Sequence, residues 1–126
     1  MSIQKEDLLA LAQALSVGGS EPHWRSAVSR AYYAAYHGCC EWHNALPMPG
    51  SNAGPNGGAH QKLLNQLSNP DASIPVATRQ KSKILATKLG VLRNDRHAAD
   101  YELSQTLDDV RAARACILAT DILGKL

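Results

Sequence analysis

The sequence has no phenylalanine, three cysteines, an aromatic content of 5% and a formal net charge of only +2. Each scarcity excludes something. An odd cysteine count, with Cys39 and Cys40 adjacent, does not fit a secreted disulfide framework, so a reducing cytoplasm is the simpler expectation. No apolar run approaches the roughly 20 residues of a membrane helix. Lys5, Glu6 and Asp7 interrupt the place where a secretory signal would build its apolar stretch, and none is expected. The small net charge excludes a general polycation. What is abundant is alanine and leucine, which favours helix over strand. A chain of 126 residues suits one domain with a sizeable core.

Five helices and no strand are expected. The first covers about 3–15, with Ser2 as N-cap and Gly18-Gly19 as the stop. The second runs from Ser20 to about Leu46, with Pro22 in the first turn, where a missing N–H costs nothing. Residues 47–58, PMPGSNAGPNGG, hold three prolines and four glycines and read as a mobile loop. A short helix at 59–67 follows. The fourth runs from about Ile74-Pro75 to Ala98. The fifth begins near Ser104 or Thr106, where Thr106 and Asp109 suit a capping box, and ends at Gly124. One domain, an all-α up-and-down four-helix bundle with an additional short helix, is the economical architecture.

On a helical wheel Trp24, Ala27, Val28, Ala31, Ala35, Cys39, Trp42 and Leu46 share one face of the second helix, with Tyr32 at its edge. Ala31, Ala35 and Gly38 would admit a close neighbour. The opposite side is a polar stripe of Ser26, Arg30, Tyr33 and His37. In the fourth helix Leu85, Leu89 and Leu92 read as core, and Ile84 and Val91 mark a second apolar side. Another stripe runs Arg79, Lys83, Ala86, Gly90, Arg93, His97. Between Ile74 and Ala98 six Lys or Arg face one acid, a local net of +5 that leaves −3 on the rest. In the fifth helix Leu107, Val110, Ala113, Ile117, Leu118 and Ile122 are assigned to the core.

The stretch VLRNDRHAADY, residues 91–101, gathers Arg93, Arg96 and His97. Guanidinium forks match phosphate oxygens, and a histidine moves protons near neutral pH. Together they suit metal-free attack on a phosphodiester by a neighbouring 2′-hydroxyl. They equally suit ion pairs with Asp95, Asp100 or Glu102 at a helix end, where cations favour the dipole. Elsewhere, His37, Cys39, Cys40 and His43 can be read as zinc ligands or as buried thiols beside surface histidines; four convergent ligands are what zinc requires. Tyr32, Tyr33 and Tyr36 with Trp24 and Trp42 can be a base-stacking platform or core aromatics. Tyr33, on the polar stripe, is the one placed to line a cleft. The glycine-rich loop lacks the Lys-Ser or Lys-Thr ending of a P-loop.

SRAYYAAYHGC (29–39), GAHQKLLNQL with His60, and LRNDRHAADYEL (92–103) together resemble, in that order, the signature segments of HEPN-domain proteins. The resemblance covers most of the chain. It implies an all-α, often dimeric protein, in a group of RNA-cleaving toxins, phage-defence nucleases and non-catalytic relatives. The family's nuclease motif is an arginine, a polar residue, and a histidine after four to six intervening positions. Arg93 and Asn94 fit; His97 arrives after three, a difference that a break in the helix near His97 would absorb.

On this reading Arg93 and His97 are catalytic. Arg96, Arg79, Lys83 and Arg30 bind phosphate. Asp100 and Tyr101 orient the arginines, and Tyr33 faces them. The expected partners are RNA, a second copy of the chain and a nucleotidyltransferase-type antitoxin. No cofactor, metal or membrane is called for. The alternative is a non-catalytic HEPN-like adaptor or regulatory protein whose basic stripe grips an acidic protein or a nucleotide. A purely structural homodimer is a third reading.

Overall fold

A computed structural model of the chain describes residues 2–126. It is all-α: α1 (Lys5–Ser16), α2 (Glu21–Asn44), α3 (Ala59–Ser68), α4 (Val76–Tyr101) and α5 (Asp109–Lys125), with no strand among the described residues. No helix is long and apolar enough to cross a membrane.

The helix starts differ from expectation for local reasons. α1 begins after Gln4, whose N–H donates to the Asp7 carboxylate at 2.7 Å, so Ser2 lies outside it. α2 begins after Ser20 as expected, but the Ser20 hydroxyl bonds His23 Nδ1 at 2.6 Å instead of an orphan amide. α5 begins after Asp108, which accepts the Arg111 N–H at 2.9 Å; Thr106 is not the cap.

α2 is the central helix and packs against all four others. Ala27, Val28, Ala31, Tyr32, Ala35 and Cys39 are fully buried along it. Trp24 and Trp42 are only half-buried. Trp24 Nε1 donates to the Gly18 carbonyl at 2.8 Å and closes the α1–α2 turn. Lys81 stands 6.0 Å from the Trp42 ring centre. The small residues do admit a neighbour. A Cβ on Gly38 would lie 2.6 Å from Leu126 and 2.7 Å from Leu123 of the α5 end.

Of the residues assigned to the core here, Leu107 and Ile122 are buried and Leu118 packs against them in part, but α5 turns the rest outward. Ala112, Ala115, Cys116, Ala119 and Ile122 are buried, whereas Val110 and Ile117 are 57% and 70% exposed and Ala113 is exposed. Interaxial distance follows side-chain size at the contact. The alanine-rich face, with Ile122, is the one that nests against α2, and Val110 and Ile117 are left outside. Leu85, Leu89 and Leu92 of α4 are buried as expected, while Ile84 and Val91 are about half exposed. Lys88–Asp121 at 2.6 Å and Arg111–Asp95 at 3.0 Å tie α4 to α5.

The 47–58 segment is a non-helical loop, as expected, and is hydrogen-bonded to its surroundings between Gly50 and Pro55. Gly50 is buried and its N–H donates to His43 Nε2 at 3.0 Å. Ser51 N–H reaches the Asn69 carbonyl at 2.8 Å. The Asn65 amide donates to Asn52 Oδ1 and to the Pro55 carbonyl, and the Asn69 amide to the Ala53 carbonyl. These partners lie in α2, in α3 and at the Asn69 C-cap of α3, which local composition does not reveal.

Candidate anion-binding site

α2 and α4 run antiparallel, so Arg25, Ser29, Tyr33 and Tyr32 of α2 meet α4 in reverse order, from Ala98–Glu102 back toward Arg93. Arg25 fixes this register. Its guanidinium donates to the carbonyls of Ala98 (3.0 Å), Ala99 (2.9 Å), Glu102 (3.3 Å) and Gln105, and pairs with Glu21 at 2.9 Å. Glu21 also accepts the Leu107 N–H at 2.9 Å. The last carbonyls of a helix have no partner within it, and here an arginine from another helix supplies one. α4 therefore stays regular through Tyr101, with no break at His97.

Above this clamp lies a basic and aromatic cluster. Arg96 is largely buried. It donates to the Tyr33 hydroxyl at 2.8 Å and its Nε lies 3.0 Å from the Asp100 carboxylate. Its guanidinium carbon sits 5.3–5.7 Å from the ring centres of Tyr33, Tyr101 and Tyr32, which is cation–π range. Asp100 also accepts from Ser29 at 3.2 Å. Arg96 is thus committed to the protein. Arg93 is not: among the described residues its one side-chain bond is to the neutral Gln61 amide of α3, at 2.7 Å. Arg30 leans on the Tyr33 ring, 5.7 Å from its centre. Neither Arg30 nor Arg93 forms an ion pair among the described residues, which leaves both guanidinium charges available.

His60, from the first turn of α3, completes the cluster. It bonds the Tyr32 hydroxyl through Nδ1 and stacks on Tyr36 with centroids 4.3 Å apart. Tyr33 meets its ring edge-on at 6.0 Å. Burial lowers the His60 pKa below the ordinary 6.5, and the charges of Arg96, Arg93 and His37 lower it further. Burial raises that of Tyr32 well above 10, against the pull of Arg93 and Arg96. A neutral imidazole and a protonated phenol therefore face two permanent cations. Beside Arg30, a hollow of about 320 Å³ opens between α2 and α4, lined by Pro22, Ser26, Ser29, Arg30 and Asp100 among others.

The residues expected to form one site are divided by the structure. Arg93, Arg96, Asp100, Tyr33, Tyr101 and Arg30 gather at or around the cluster. His97 does not join it. It is 61% exposed, its Nδ1 lies 3.4 Å from Glu102, and its ring is 5.2 Å from that of Tyr101. Asn94 is exposed. Arg79 and Lys83 lie about 21 and 15 Å from Arg93 along α4 at 1.5 Å per residue, Lys83 at a separate hollow with Ile84, Thr87 and Lys88. Of the helix-end ion pairs considered, Arg96–Asp100 forms, while Asp95 turns to Arg111 of α5. Among the described residues no three His, Cys, Asp or Glu side chains lie together to hold a metal ion. Cys39 is buried, its thiol pKa pushed up to about 12, and His43 is engaged with Gly50.

Arg25, Gln61 and the chemical role of His60 were not read from the sequence. The i, i+4 pair Glu21 and Arg25 was the one available signal for the clamp, and it does not distinguish a surface ion pair from a cross-helix cap.

No protein-family model, no curated protein and no solved structure matches the chain.

Proposed function

We propose that this protein is a HEPN-like helical module that binds single-stranded RNA at the Arg30–Arg93 cluster and does not use His97 to cleave it. One observation carries the reading: two guanidinium groups without carboxylate partners flank partly exposed aromatic rings, those of Tyr33, Tyr36 and His60. Arginines grip phosphates bidentately, and exposed aromatic faces take unstacked bases. Arg96 acts from behind. It adds positive potential and orients Tyr33, while its own hydrogen bonds stay within the protein. The non-catalytic arm of the HEPN resemblance is favoured because the His97 side chain is 61% exposed and turns to Glu102 and the edge of the cluster at Tyr101, not to Arg93.

The test is fluorescence anisotropy with a labelled octauridylate across a salt series. Arg93→Ala and Arg30→Ala are each expected to weaken binding and to reduce the log–log salt slope by about 0.7, the value for one phosphate contact on a single strand. Lys83→Ala should leave affinity within about twofold, as a phosphate-independent position would. In EDTA, octauridylate should stay intact with wild type and with His97→Ala alike. Binding insensitive to salt and to both arginine changes would end the RNA reading. Metal-free cleavage that disappears in His97→Ala would restore the nuclease.

A further inference from the structure

We infer that His60 is a ligand-binding residue of the same site, a third donor to an RNA phosphate beside Arg93, and that its protonation follows the occupancy of that site. The inference rests on the cluster assigned above and names the group that completes it.

The free protein holds the imidazole neutral from every side. From α2, Tyr32, Tyr33 and Tyr36 surround it and His37 adds to the opposing charge; from α4, Arg93 and Arg96 face it. No carboxylate forms an ion pair with it among the described residues. Tyr32 is fully buried and its phenol stays protonated. Its O–H has one side-chain partner, the Nδ1 of His60, so the phenol donates and the ring hydrogen resides on Nε2. His60 is itself only partly buried. The result is an N–H donor next to a guanidinium that lacks a counterion.

An anion at Arg93 changes the balance. It offsets the repulsion that Arg93 and Arg96 exert on a charged imidazole, so the proton affinity of His60 rises. A second proton enters at Nδ1; the phenol hydrogen of Tyr32 rotates away from the ring, and the Tyr32 oxygen accepts from Nδ1–H, since a phenol both donates and accepts. Binding and proton uptake are thereby linked, and the affinity for phosphate must increase as pH falls. A His60 that only filled space between Tyr32 and Tyr36 would still feel the anion's charge, but its replacement by Leu would leave octauridylate affinity above pH 7 unchanged, whereas loss of a donor weakens it.

The experiment follows the His60 Cε1–H resonance by NMR, assigned from its loss in His60→Gln. Titrations are run free, with saturating octauridylate and, separately, with inorganic phosphate. Free His60 should titrate below 6.5, and Arg93→Gln should raise that value. Saturation should raise it by at least about half a unit, which corresponds to roughly threefold tighter binding below the titration range than above it. That extra acid gain should be absent in His60→Gln. If octauridylate binds through Arg93 while His60 does not move, this inference fails and the RNA reading stands. If only phosphate binds and moves His60, the RNA reading fails and the site remains one for free phosphate. If neither ligand moves His60, or if His60→Gln keeps the wild-type pH dependence, the inference is overturned.

Discussion

Arg25 and Arg96 illustrate how differently one residue type is spent in this protein. Arg25 closes a helix end, and its side chain is nearly out of solvent. Replacing it with Met would strand the Glu21 carboxylate and several carbonyls, with an expected loss of about 3 kcal/mol in urea unfolding. Arg96→Ala should act mainly through Tyr33 and Asp100, which lose their partner. The histidines make a further prediction at this scale. His43 and His60 are both held below the ordinary 6.5, His43 by burial and His60 by burial first and neighbouring cations second. Below 6.5 the unfolded chain takes up protons that the folded chain refuses, so stability is lost as pH falls from 6.5 toward the depressed folded values. The urea midpoint of the free protein should drop between pH 7.5 and pH 5.5. His43→Gln should flatten that drop, because one of the two refusing groups is gone.

Among the elements, α2 and α4 were the most legible in the sequence and α5 the least. The alanine, valine and cysteine spacing of α2 and the Leu85–Leu89–Leu92 row of α4 state their buried faces directly. α5 offers two candidate faces, and apolar size picks Ile122 rightly but Val110 and Ile117 wrongly. Val110 and Ile117 lie outside because small residues set the distance to α2, a property of the pair of helices and not of α5 alone. The contacts of the loop at 47–58 were not legible for a similar reason: its anchors, His43, Asn65 and Asn69, belong to α2, to α3 and to the C-cap of α3. Two glycine substitutions separate packing from propensity. A Cβ on Gly50 would lie 1.9 Å from the Gln66 carbonyl oxygen. Gly50→Ala should cost at least about 1–3 kcal/mol, since backbone must move. Gly90 sits in α4 with open space around its missing Cβ. Gly90→Ala should raise stability by about 0.5–1 kcal/mol, measured in the same unfolding assay.

For the whole molecule, the charge division read from the sequence is only partly the charge division of the fold. The cations of α4 do not act as one stripe. Lys88 is paired with Asp121, Arg96 with Asp100, and Arg79 and Lys83 lie far along the helix from Arg93. The candidate site was legible as far as Arg93, Arg96, Asp100 and Tyr33, because those fall in one short motif or on one helix face. His60 entered only within a resembling segment, since its role depends on three helices meeting. The clamp at Arg25 has one more consequence. It fastens the first turn of α2, the last turn of α4 and the connection at 102–107 into a single knot. A helix end that would otherwise fray is thereby made to open only together with the interior. Amide hydrogens of Glu102 and Leu107 should exchange with deuterium nearly as slowly as those of the buried α2 centre, and Arg25→Met should release them first.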